Sequence, residues 1–197
     1  MVRLREFDRE EVLLAAMRVF WEKGYEAASL NDLTSAMAIQ RPSLYLAFGD
    51  KEQLFEQALR KYTQWHASNV RTKLNNKSSV KDAFKSYFTD LVDEAYQGKV
   101  SPGCFCINTM VELAPKNEKF AIITREHQMY LAVLFQEAIE RGIQTGELSK
   151  DIVAKALAQS LVVSLIGITV MLKSRPDRLF IDNAVAAAIL QLAAREV

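Results

Sequence analysis

The sequence is poor in the residues that mark secreted, many-stranded or membrane proteins. Its 197 residues include only two cysteines, Cys104 and Cys106. Two positions apart, they exclude a disulfide framework and suit a reducing cytoplasm. Seven glycines and four prolines leave little turn chemistry for a sandwich or barrel of short strands. Neither sign of charge is in excess: 25 basic residues stand against 24 acidic ones, so no global field draws the chain to nucleic acid or an anionic membrane. The opening MVRLREFDREE has no apolar signal-peptide core. One uncharged stretch, Ala156 to Leu172, runs for 17 residues and contains Gln159, Ser160, Ser164 and Thr169. It sits at the short limit for a bilayer and reads as a helix buried on all sides, so no membrane partner is expected. Catalytic signatures are lacking too: there is no P-loop, no dinucleotide glycine motif, no nucleophile elbow and no His-Glu-x-x-His. Cys104, Cys106, His66 and His127 have no zinc-site spacing. The expectation is no enzyme, no catalytic residue, no cofactor and no metal.

Helical periodicity, punctuated by caps, is what the chain does contain. Asp8 and Glu11 have capping-box spacing, and Val12, Ala16, Val19 and Phe20 then form an apolar stripe up to Gly24. Ser29 with Asp32 opens a short helix whose Leu30, Leu33 and Met37 face inward. Pro42 suits the first position of a third helix, which ends near Phe48 and Gly49. Asp50 and Gln53 cap a long fourth helix with Leu54, Ala58, Tyr62, Trp65 and Val70 at helical spacing. Ser79 and Asp82 start the cleanest amphipathic stripe, Val80 to Ala95, which Gly98 ends. Ser101 reads as an N-cap and Pro102 as the first residue of a helix reaching Ala114. Helices at about 118–142 and 149–174 and a last one after Pro176 complete an all-α chain of nine helices.

The second and third helices are short and joined by a tight turn, Met37 to Arg41, which is the helix-turn-helix arrangement. No acidic residue falls between Asp32 and Asp50, as befits a surface laid against phosphates. Residues 1–60 as a whole are slightly acidic, which counts against a strongly basic grip on DNA.

The run SLNDLTSAMAIQRPSLYLAFGDKEQLF, residues 29–55, resembles the DNA-binding signature of TetR-family transcriptional regulators. Ala15, Ala16, Phe20, Gly24 and Tyr25 in the preceding helix fit the same pattern. The likeness spans roughly residues 8–60, and Ser43-Leu44-Tyr45 followed by Phe48 and Lys51-Glu52 is its most specific part. Three positions depart from it: Ala38 and Pro42 stand where glycine is common, and Ala47 where histidine is frequent. The run from Ser101 to Pro115 resembles a segment in one branch of the family. The resemblance implies DNA contact by Gln40, Arg41, Pro42, Ser43 and Tyr45, with phosphate contact near Ser29 and Lys51. Leu44 and Phe48 are assigned to the core; Arg3 and Arg5 read as a solvated terminus more readily than as a minor-groove arm.

The resemblance also implies two parts: a helix-turn-helix DNA-binding domain over 1–55, and a helical effector-binding and dimerisation domain over 56–197. In the second part, Phe88, Cys104, Asn108, Met110, Met129 and Tyr130 are the candidate ligand-lining residues. The helix over 156–172 and the alanine-rich last helix would pair with their copies in a homodimer, with Val163, Ala184 and Ala188 in the seam. The partners expected are double-stranded operator DNA, a small-molecule inducer and a second copy of the chain in the cytoplasm. The functional expectation is a repressor that an inducer releases from its operator. One alternative is release through a reactive thiolate at Cys104, stabilised if it holds the third position of a helix. A helical adaptor without DNA binding is the more distant one.

Overall fold

Side-chain caps set where most of the helices begin. The structure, a computed structural model, describes residues 7–98 and 102–193; Arg3, Arg5 and the expected cap Ser101 lie outside them. Among the described residues there are nine α-helices and no strand. They are α1 (Arg9–Ala27), α2 (Leu30–Met37), α3 (Arg41–Phe48), α4 (Lys51–Asn75), α5 (Val80–Gln97), α6 (Phe105–Glu112), α7 (Glu118–Gln144), α8 (Ala154–Leu172) and α9 (Arg178–Leu190). Asp8 accepts from the Glu10 N–H at 2.8 Å, Ser29 and Asp32 form a reciprocal capping box, and Ser79 accepts from the Asp82 N–H. Each such cap stabilises a helix by about 1 kcal/mol relative to alanine.

Three starts differ from the sequence expectation. Arg41 precedes Pro42 in α3, so the proline holds the second position; its missing N–H is an orphan there just as at the first. α6 begins at Phe105 with Cys104 as N-cap, because Gly103 has φ +69° and a right-handed helix cannot run through that conformation. α8 begins at Ala154, not near Ser149. Ser149 instead forms a turn whose hydroxyl accepts from the Asp151 N–H at 3.2 Å.

The chain divides into two compact units, one of residues 1–65 and 104–124, the other of residues 66–103 and 125–197. The first unit is built on edge-to-face aromatic rings. Phe55 meets Phe20 at 4.8 Å, Phe105 at 5.2 Å and Phe120 at 5.2 Å between centroids. Contacts of this kind contribute about 0.5–1.5 kcal/mol each beyond area burial, and they tie α1, the start of α4, α6 and the start of α7 into one support. In the second unit Phe84 packs edge-on against Phe135 at 5.0 Å. Here α8 buries Ala158, Leu161, Leu165, Ile168 and Leu172. By length and composition α8 alone among the described helices is apolar enough to cross a bilayer. Its Ser164 and Thr169 hydroxyls donate to the Ser160 and Leu165 carbonyls, and its inner face belongs to this core.

Candidate nucleic-acid interface

α2 and α3 are joined by a turn that places Ala38 in the left-handed region, at φ 52° and ψ 33°. Its N–H donates to the Thr34 and Ser35 carbonyls, which closes α2. Alanine thus takes a left-handed conformation that glycine adopts freely, at a cost of about 1–2 kcal/mol from its Cβ. Leu33 and Met37 of α2 and Leu44 and Phe48 of α3 are buried. The opposite face of α3 presents Arg41, Pro42, Tyr45 and Leu46, with Gln40 just before it; all are exposed, and Ser43 is half-buried. Spacings of three (Pro42 to Tyr45) and four (Arg41 to Tyr45, Pro42 to Leu46) make these a continuous surface on a helix.

The electrostatics of this surface are set by pairing. The Arg41 guanidinium donates to Asn31 Oδ1 at 2.6 Å, so a neutral amide, with no competing negative charge, positions it. Asp32, one of the two acids nearest in sequence, bonds Lys23 Nζ at 2.6 Å and the Ser29 hydroxyl at 2.7 Å. The Lys23 bond, followed by those from Ser29, holds its carboxyl far below the usual carboxylate range. Ser29 is exposed but its hydroxyl serves this cap. Lys51, the first residue of α4, carries its ammonium 4.6 Å from the Tyr25 ring centroid, a cation–π contact.

From behind, α3 is anchored through its last carbonyls, which have no partner within the helix. Arg9 donates to the Ala47 carbonyl at 3.2 Å and to Gln57 at 2.8 Å, while the Gln57 amide donates to the Phe48 carbonyl at 3.0 Å. Gly49 stops the helix at φ +81°, and a Cβ there would fall 1.8 Å from Gln53 Oε1. The break at Gly24, φ +81°, is held from α6. There the Glu112 carboxylate accepts from the Tyr25 and Glu26 N–H groups at 3.1 and 2.9 Å. Glu112 is therefore a backbone clamp inside the first unit.

The remaining candidates are dispersed. Cys104, Asn108 and Met110 belong to the first unit, and Phe88, Met129 and Tyr130 to the second. Phe88 is fully buried in its unit's core, whereas Met129 and Tyr130 are exposed on α7, where Arg71 donates to the Tyr130 hydroxyl at 3.2 Å. Cys104 does not hold the third position of a helix, so the premise of a stabilised thiolate fails. Burial pushes its thiol up, although the Tyr62 hydroxyl donates to its sulfur at 3.3 Å, and burial raises Cys106 as well. His127 is buried, with Nε2 3.0 Å from Nδ1 of His66. Desolvation, with the charge of its neighbour, lowers His66 to about 3, and desolvation lowers His127 to about 4. Of the seam candidates, Val163 is 69% exposed, Ala184 is half-buried and Ala188 faces its own protomer's core.

Asn31, Arg9 and Leu46 were not singled out from the sequence. Asn31 and Arg9 act across 10 and 38 residues of chain, and no local spacing announces such contacts. Leu46 was legible in principle, since it lies four residues after Pro42 and opposite Leu44.

Residues 12–58 match the family described as bacterial regulatory proteins, tetR family. Residues 81–188 match the tetracyclin repressor-like C-terminal domain. The uncharacterized HTH-type transcriptional regulator YezE of Bacillus subtilis is 33% identical over 178 residues, covering 90% of this chain and 92% of that one. The HTH-type transcriptional repressor ComR of Escherichia coli is 33% identical over 171 residues, covering 85% and 80%. Among solved structures, the TetR family regulator CifR, as a cysteine mutant complexed with 26-bp double-strand operator DNA, superposes with a TM-score of 0.83. It shares 34% identity and covers 95% of this chain and 98% of its own. The chain belongs to the TetR family and is a helix-turn-helix transcriptional regulator that binds DNA.

Proposed function

We propose that this regulator is a cytoplasmic homodimeric repressor that reads two half-sites of an operator through α3 and leaves it when a small molecule binds the helical body. The observation that carries the reading is the outward face of α3. It is free of carboxylates, with an arginine held by an amide and a tyrosine 48% exposed. Arg41 has the geometry to pair with guanine or to hold a phosphate, and the Tyr45 hydroxyl to donate to a phosphate. The operator DNA bound by CifR supports the choice of partner. Val163, Val170 and Met171 on α8 and Leu179 and Leu190 on α9 are exposed apolar residues, and pairing them with a second copy would cover them. A two-fold dimer would present two short recognition helices at once. The inducer is supported by family habit and by a helical body far larger than DNA reading needs, and Asn108 and Met110, both half-buried, remain its nearest candidate contacts.

The test is binding to DNA from upstream of the protein's own gene. Arg41→Ala should weaken it by about 1–3 kcal/mol with relaxed preference at one base position if the side chain reads a base. Uniform weakening with a shallower salt dependence would assign Arg41 to phosphate. Unchanged affinity in the Arg41→Ala/Tyr45→Phe double variant would remove α3 from the interface.

A further inference from the structure

We infer that Leu46, backed by Pro42, reads the C5-methyl group of a thymine in each half-site and makes that position selective for T over C. This deepens the proposed DNA-reading role of α3 and rests on it. A single exposed leucine on a protein surface needs no explanation; the position of this one does. α3 has eight residues, and its buried side is supplied by Leu44 and Phe48. Leu46 points the other way and is 75% exposed. It lies one residue after Tyr45 and one helical turn after Pro42, so Pro42 and Leu46 form an aliphatic strip flanked by Arg41 and Tyr45. No polar group of this strip's side chains exists to donate or accept a hydrogen bond.

The floor of the major groove offers donors, acceptors and one apolar feature, the thymine methyl. An aliphatic side chain set against it gains burial. The same side chain set against cytosine would strip water from the N4 amine and return no acceptor, which is unfavourable. Selection therefore has an attractive and a repulsive component, as discriminating interfaces commonly do.

The experiment starts from duplexes selected by the full-length protein from random-sequence DNA. Each thymine of the best site is then replaced singly by deoxyuridine, which removes the methyl and leaves pairing intact. One thymine per half-site should respond. Wild type should lose about fourfold in affinity there, the effect of one buried methyl, and Leu46→Ala should lose nothing further on that substitution. Leu46→Ala, whose helical content is checked by circular dichroism, should also accept cytosine at that position with a smaller penalty than wild type. If no deoxyuridine affects wild type, or if wild type and Leu46→Ala respond alike everywhere, the inference is overturned while selective, Arg41-dependent binding stands. If selection enriches no sequence at all, the α3 reading fails together with it.

Discussion

Ala38 is an alanine in a backbone conformation that glycine occupies without penalty, and it sets the turn before the recognition helix. Ala38→Gly should raise stability by up to about 1 kcal/mol, the relief of its Cβ contact less the added freedom of the unfolded glycine. A urea midpoint measures this, and the fold is otherwise left intact. Glu112 makes the opposite case. Its carboxylate receives two backbone N–H groups at the α1 break, so Glu112→Ala should destabilise by about 1–3 kcal/mol as those donors lose their acceptor. Glu112→Gln, which keeps one acceptor oxygen, should lose less. Nothing local in the sequence announces this role for Glu112, because its partners lie more than 80 residues away. Leu44 and Phe48, by contrast, were legible as core from helical spacing alone.

At the scale of elements, capping residues made the starts of α1, α2, α4 and α5 readable, and failures came where a cap-like residue met another constraint. Ser101 and Pro102 look like a helix start, but positive φ at Gly103 delays α6 to Phe105. Ser149 looks like a cap, but it closes a turn. Packing between helices leaves less trace in sequence. His66 on α4 and His127 on α7 are paired within the second unit, and nothing in their spacing predicts it. That pairing has a pH signature. Both folded-state values, about 3 and about 4, lie below the ordinary 6.5, so the unfolded chain takes up protons first as the pH falls. The stability held by the neutral pair is whole above about pH 6.5 and is lost as pH drops toward the folded values. Denaturant midpoints at about pH 7.5 and about pH 5 should therefore fall further for wild type than for a His66→Gln/His127→Gln variant. Equal falls would assign the acid sensitivity to carboxylates.

At the scale of the whole molecule, the sequence made the helix-turn-helix segment legible through one contiguous run, residues 29–55, in which caps, core positions and exposed positions follow one another. The candidate residues for the proposed effector and dimer surfaces are scattered over more than 100 positions, and no contiguous run marks them. Small residues on α9 suggested a seam through Ala188, yet that alanine packs inside its own protomer, and the exposed strip falls on Ala186, Ala187 and Leu190. For the proposed dimer, Val163→Glu is the informative change: sedimentation should show a monomer with helical content retained, since the side chain is exposed in the single chain.

The most direct test of a regulator that reads DNA through α3 is a footprint on the DNA upstream of its own gene, with wild type and the Arg41→Ala/Tyr45→Phe variant compared at matched salt. Wild type should protect two half-sites related by two-fold symmetry, and the variant should lose that protection while retaining its helical content. Identical footprints from the two proteins, or protection without sequence preference, would contradict it.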